Sequence, residues 1–470
     1  MKNINYFLLF TFLVVNTIIK AETTWIKVSN GTEFSVGLRS DSTLWSWGVN
    51  TSGQLGINSI IRQREPVQIG TDSDWKDFTT GGLHCLAIKS NGTLWAWGSN
   101  INGQLGNNST TRSLIPIQIG TDSNWMLVEA GMAHSLGIKK DSTLWGWGLN
   151  SQGQLGLGDT TDAHVPSQVG TSSSWKKIAA GVTHSLAIRN DGTLWAWGDN
   201  GFGQLGNNTT TQETSPVMIG ANTNWSEIAA GYSFSIGIKS DSTLYGWGFN
   251  SYGQVGNGTT TDEIVPVQIG TDNNWTKIAA GSAFSFGIKS DSTLYGWGFN
   301  GFGQLGTEDL LQRTSPVQIG TDDDWVLVSA SDGFELNGNL FGFHSLSLKR
   351  DRNVICAAGN NAGGQLGNGT LDNSDIFNCS TGINVGISSV QPELTDILFY
   401  PNPTNGLLHI SADFYEKTSV KVFDLFGALV LSKDINPEDF TINLLNYSKG
   451  IYFVAVERGN IIRKEKIIVY

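Results

Sequence analysis

Thr193-Leu194-Trp195-Ala196-Trp197-Gly198, followed after a short loop by Gly203-Gln204-Leu205-Gly206, decides how this chain folds. The pattern recurs about every fifty residues. Gln54, Gln104, Gln154, Gln204, Gln254 and Gln304 open the same Gln-Leu-Gly step, once Gln-Val-Gly, and a seventh follows at Gln365. Trp25, Trp75, Trp125, Trp175, Trp225, Trp275 and Trp325 mark the starts of seven successive units.

Four strand-like runs can be read in each unit, for example Trp175 to Ala179, Ser185 to Arg189, Thr193 to Trp197 and Pro216 to Ile219. Asp191-Gly192 and Asn91-Gly92 separate the second run from the third, as a two-residue hairpin turn with φ > 0 requires. Asp41-Ser42 and its relatives are weaker versions of that turn. Pro66, Pro116, Pro166, Pro216, Pro266 and Pro316 are expected to open the fourth run, where a missing N–H is tolerated. In the third run Trp195 and Trp197 are two apart and share a strand face. Between such aromatics stand Ser46, Ala96, Gly146, Ala196, Gly246 and Gly296, small enough to admit a neighbouring sheet. Seven four-stranded units in a ring satisfy the pattern. A linear β-solenoid has shorter turns and does not need four antiparallel runs per period.

The composition fits such an all-β protein, with 58 Gly, 17 Trp and 15% charged residues in a chain of 470. All the tryptophans lie inside the repeats. The formal net charge of -12 offers no basic face for phosphate neutralisation, which speaks against a nucleic-acid partner.

Gly181-x-x-His184-Ser185-Leu186-Ala187-Ile188, Asp191 to Gly198 and Gly203 to Gly206 resemble the regulator of chromosome condensation repeat. That resemblance covers residues 25 to about 380 and implies a seven-bladed β-propeller. Its members include a nuclear guanine-nucleotide exchange factor, a plant light sensor and secreted inhibitors of β-lactamases, so the fold does not choose a function. No motif carries exchange-factor residues over to this chain.

Residues 1–21 read as a signal peptide, with Lys2 before an apolar run from Tyr6 to Ile19 and a cleavage site after Ala21. No later stretch is long and apolar enough to span a membrane. The propeller is assigned to 22–380 and a linker to 381–393. Residues 394–470 alternate as in a small β-sandwich. Tyr400-Pro401-Asn402-Pro403, Gly406 to Ile410, Val422-Phe423-Asp424, Gly450-Ile451-Tyr452 and Arg463 to Lys466 resemble the C-terminal sorting domain of the type IX secretion system. The resemblance implies a Gram-negative cell, passage through the outer membrane, and surface attachment or release. The generic alternative is a binding module.

Three cysteines in an exported chain leave one over. Cys85 takes a position held by Ser in other units and reads as a buried thiol. Cys356 and Cys379 fall on adjacent runs of unit seven, and an oxidising compartment permits a bridge between them. His84, His134, His184 and His344 share one repeat position with Phe34, Phe234 and Phe284, which favours packing over metal binding. No cofactor motif, catalytic triad or phosphate loop is present. Unit seven also carries about ten extra residues before His344, read as a cover at the ring closure or a ligand loop.

Positions common to all units are explained by folding, so a partner site is sought in the differences. Phe202, Phe249, Tyr252, Phe299 and Phe302 fill loop slots that hold Val49, Ser52, Ser99, Asn102, Leu149 and Gln152 in units one to three. They gather on one arc and could form a contact surface or pack against the adjoining blade. The expected function is a secreted or surface-displayed binding scaffold with a protein or glycan partner. The alternatives are an enzyme inhibitor and an enzyme acting at the channel mouth.

Overall fold

The computed structural model describes residues 23–470 apart from 332, 337–338, 352–353, 381–397, 401–403, 405–406, 412–417, 425–428, 436–439, 446, 459–460 and 470. The signal-peptide and linker assignments lie outside these residues. The chain divides into two compact units, Met1–Ile383 and Asn384–Tyr470.

The first unit is a ring of seven four-stranded sheets, each antiparallel with its strands in chain order. In the first sheet the strands are Trp25–Asn30, Phe34–Arg39, Leu44–Gly48 and Gln63–Gln68. First strands neighbour one another around the ring, and fourth strands are outermost. The expected weak turns do adopt left-handed backbone: Ser42, Ser142, Ser242 and Ser292 have φ between 61° and 66°. Asp41 Oδ1 holds its turn by accepting from the Thr43 N–H and hydroxyl at 3.2 and 2.6 Å.

Two local expectations are corrected. The small residue between the third-strand aromatics faces the Gln-Leu-Gly loop of its own unit: Ser46 Oγ donates to Leu55 O at 2.8 Å, and a β-carbon on Gly146 would lie 2.9 Å from Leu155 O. This loop is a wedge between blades, since a β-carbon on Gly156 would meet the next blade's Trp197 ring at 2.9 Å. The repeat prolines do not open the fourth strand; Pro216 is the fourth residue of Glu213–Met218. Pairing skips from Val217 to Glu213 there, so proline occupies a bulge in an edge strand, where no ladder N–H is missed.

One backbone carbonyl recurs as a latch between each blade and the next. Gln104 O accepts from the Ser135 hydroxyl at 2.8 Å and the Trp147 indole N–H at 2.9 Å. The same pair recurs at closure, where Gln365 O accepts from Ser35 and Trp47 at 2.8 and 2.9 Å. The last sheet, Trp325–Ala330, His344–Lys349, Ile355–Gly359 and Ser374–Ser380, takes all its strands from unit seven. The ring therefore closes without a borrowed strand, through these latches and a backbone bond from Gly369 N to Arg64 O at 3.0 Å. Unit seven has Ala358 where its siblings have an inner Trp, and Phe377 from the fourth strand fills the space, 6.0 Å from Phe286 and 5.5 Å from Trp325.

Cys356 and Cys379 are opposite each other on neighbouring strands and their sulfurs are bonded. With a sequence separation of 23, the crosslink should add roughly 3 kcal/mol in the chain-entropy model. Replacing both by Ser should lower the denaturation midpoint accordingly, and non-reducing peptide mapping should recover the linked pair.

The second unit is a two-layer β-sandwich. One sheet contains Leu398–Tyr400, Leu407–Ser411 and Phe440–Asn443; the other contains Leu429–Ile435, Thr418–Phe423, Gly450–Arg458 and Ile461–Val469. Leu408 and Ile442 from the first meet Val420, Val422, Val454, Val456 and Ile467 from the second in a common core. The basic run Arg463 to Lys466 lies within the last strand. Of the sorting-motif residues, Tyr400 pairs with His409, while Pro401, Asn402, Pro403 and Gly406 lie outside the described residues. Among the described residues, no helix is long and apolar enough to cross a membrane.

Candidate functional site

The loops between third and fourth strands are held by their own buried amides. Asn200 Oδ1 accepts from Leu205 N at 3.0 Å, and its Nδ2 donates to Thr209 O and Thr211 O at 2.9 and 3.0 Å. Gln204 Oε1 accepts from Phe202 N at 2.9 Å. The Gln254–Tyr252 and Gln304–Phe302 pairs repeat this at 2.9 and 3.0 Å. Phe249 N and Phe299 N donate to Ser233 O and Ala283 O at 2.9 and 2.8 Å, laying those residues over the turns between first and second strands. The loops are therefore rigid platforms, and all five aromatics stand on the same face of the ring.

The rings form one continuous row. Centroids are 4.9 Å apart for Phe202–Phe249, 6.2 Å for Phe249–Tyr252, 5.2 Å for Tyr252–Phe299 and 6.3 Å for Phe299–Phe302. Phe202 and Tyr252 are 43% and 38% exposed, and Phe249, Phe299 and Phe302 are half-buried between the blades. The row thus divides into presented rings and supporting rings. Two neighbours escaped the sequence reading. Phe343 is buried and stacks on Phe302 at 5.6 Å. It ends the unit-seven insertion, whose backbone forms a hairpin of Phe334–Leu336 with Asn339–Phe341. Tyr232, 41% exposed, precedes the Ser233 whose carbonyl holds Phe249. Comparing the residue before each slot of His184 type would have found Phe343, since Leu83, Ala133, Thr183, Ser233 and Ala283 are its counterparts.

The shared histidines are wholly buried. His84, His134 and His184 Nε2 lie 2.9 to 3.0 Å from Ser135, Ser185 and Ser235 of the following blades, and His344 Nε2 lies 3.0 Å from Ser35 across the closure. Ser135 spends its proton on Gln104 O, so it accepts from a neutral imidazole protonated at Nε2. The Nδ1 atoms have no partner, and burial holds all four pKa values down to about 3. Between the first strands, Lys27 pairs with Asp77 at 2.7 Å. Glu129, half-buried nearby and hydrogen-bonded by the Thr79 hydroxyl at 3.2 Å, is pushed up to about 7 by burial, with Lys27 opposing the shift. Among the described residues, no group of three His, Cys, Asp or Glu is placed to hold a metal ion.

A closed ring of seven self-contained blades, latched through Gln-Leu-Gly carbonyls and decorated unequally on one face, defines a propeller of the repeat type. The chain matches the model of the RCC1-like domain over residues 13–276, and regulator of chromosome condensation repeats over 275–304 and 291–335. It belongs to the RCC1-like family. Residues 398–470 match the secretion system C-terminal sorting domain, so this propeller carries an export tail of the type IX kind found in Gram-negative bacteria. A crystal structure of human WBSCR16 is similar, with 22% identity and a TM-score of 0.60, over 66% of this chain and 84% of that one. The Saccharomyces cerevisiae protein Prp20p is similar, with 19% identity and a TM-score of 0.63, over 80% of this chain and 90% of that one. At these identities the likeness is one of fold. No curated protein matches.

Proposed function

We propose that the chain is a binding scaffold working outside the cell, delivered by its sorting tail, with the aromatic row of blades four to six as its contact surface for a protein or glycan partner. The observation that carries this reading is the exposure of Phe202 and Tyr252 on loops whose backbones are already fixed by buried Asn and Gln side chains. Exposed aromatics on rigid supports offer contact area at little entropic cost.

The test separates presented rings from supporting ones. The double replacement Phe202→Ser and Tyr252→Ser should abolish retention of the protein on its partner cells or glycans while shifting the melting temperature by less than about 4 °C, a loss under about 1 kcal/mol. Phe302→Ser, which removes a ring stacked on buried Phe343, should instead lower stability by about 2 to 4 kcal/mol. Unchanged binding by the double variant would overturn the assignment of the row.

A further inference from the structure

The opposite face of the ring repeats a different device. Near the end of each second strand a cation, Arg39, Lys89, Lys139, Arg189, Lys239, Lys289 or Lys349, lies over the aromatic rings of its blade. In four blades the turn before the following Trp supplies a carboxylate: Lys89 meets Asp72 at 2.8 Å, Lys139 meets Asp122 at 2.6 Å, Lys289 meets Asp272 at 2.8 Å and Lys349 meets Asp322 at 2.6 Å. Arg39 donates instead to Thr23 O at 2.9 Å. Blades four and five break the pattern. At the position of those aspartates they carry Ser172 and Asn222, within Ser172-Ser173-Ser174 and Asn222-Thr223-Asn224.

Arg189 and Lys239 are consequently cations in aromatic clamps without the turn carboxylate that forms an ion pair in four other blades, although each feels the charge of the Asp two residues further on. The Arg189 guanidinium carbon is 3.7 Å from the Trp195 ring centre and 4.5 Å from that of Trp175. Lys239 Nζ is 3.9 Å from the Tyr245 ring centre and 5.1 Å from that of Trp225. Among the described residues neither takes part in an ion pair or a side-chain hydrogen bond, and Arg189 Nε is buried without a partner. Asp191 and Asp241, two residues further on, direct an oxygen to the N–H and hydroxyl of Thr193 and Thr243, as their counterparts do in other blades.

We propose that this turn face binds an oxyanion, a carboxylate or sulfate group, at the Arg189 clamp, with Lys239 as a second cation in the neighbouring blade. Two rings fix the guanidinium plane, which lessens the entropy loss a free Arg would suffer on binding. A guanidinium fork matches such groups in bidentate geometry. In the turns before Trp175 and Trp225, hydroxyl and amide side chains stand where four other blades place an ion-paired carboxylate, and the charges of Asp191 and Asp241 remain within reach of the two cations. Elsewhere the protein's acidic field disfavours anions. The site is independent of the aromatic row on the other face.

The experiment titrates the full-length protein, labelled with nitrogen-15, with glucuronate and separately with sulfate at constant ionic strength, using glucose as the uncharged control. The Nε–H signal of Arg189 and the indole signals of Trp175 and Trp195 report binding. Saturable shifts with either anion and none with glucose are expected; glucuronate alone would show that the sugar ring is also read, and both anions would show that the oxyanion suffices. The double variant Ser172→Asp and Asn222→Asp installs the carboxylates used by the other blades. It should weaken binding at least tenfold without lowering the melting temperature. Absence of saturable shifts, or binding unchanged in this double variant, would overturn the proposal.

Discussion

Acidification from pH 6.5 to 5 should lower the propeller's stability by roughly 5 kcal/mol, because four neutral histidines are sealed between its blades. Their pKa values are held at about 3 by burial, against an ordinary 6.5. Between these values the unfolded chain takes up protons that the folded chain refuses, so stability is intact above 6.5 and falls as the pH drops towards 3. Each histidine contributes a slope of about 1.4 kcal/mol per pH unit. Glu129 acts in the other sense. Its raised pKa, about 7 against 4.5, gives stability fully present below 4.5 and lost as the pH rises through 7, which offsets one histidine over that interval. Asp141, Asp191, Asp241 and Asp291, lowered by their threonine hydrogen bonds, come into play only below this window. The net loss by pH 5 is roughly 5 kcal/mol, comparable with the whole stability of many domains. Denaturant midpoints measured across pH 7 to 4.5 should show this fall. His134→Phe, the residue type of three other blades, should reduce the slope by about one proton, since Ser185 keeps its bond to Gln154 O at 2.8 Å. A flat profile, or one unaffected by this substitution, would refute the account.

Trp147→Ala should cost roughly 4 to 6 kcal/mol, and Trp145→Ala only about 1 to 2 kcal/mol, although the two residues are neighbours in one motif. Trp147 is wholly buried, lies 5.7 Å from Trp125 and donates to Gln104 O of the preceding blade. Its removal leaves a cavity and loosens an interblade latch. Trp145 is half-buried, is 6.2 Å from Trp125 and donates within its own blade to Thr143 Oγ1 at 2.9 Å. Its outer surface carries the Lys139 ammonium at 3.6 Å, and smaller side chains leave that position open to solvent. Guanidinium unfolding of the two variants measures the difference directly. Equal losses would contradict the division into an interblade ring and an intrablade ring.

Blade number, strand number and the export tail were legible in the sequence because each depends on local chemistry repeated in phase. Asp191-Gly192 demands a turn wherever it stands, and Trp195-Ala196-Trp197 alternates as a strand whatever lies beside it. The aromatic row was legible in part for the same reason: Phe202, Tyr252 and Phe302 depart from a pattern that repetition makes visible. Which rings are presented was not legible, because exposure is set by contacts between units. Phe302 is half-buried by Phe343, which lies beyond an insertion that breaks the phase.

By itself, then, the sequence determined the repeating unit, the all-β class, the position of the likeness to the sorting domain and the candidate residues where repeats differ. Tertiary structure alone decided that Gln104 O is the latch, that Phe377 takes the place of an absent tryptophan, that proline stands in an edge-strand bulge and that the ring closes without exchanging a strand. The physical reason is range. Turn and alternation signals act over a few residues of backbone, whereas a carbonyl receiving donors 31 and 43 residues away, or 330 and 318 residues away at the closure, acquires its role only when the blades meet.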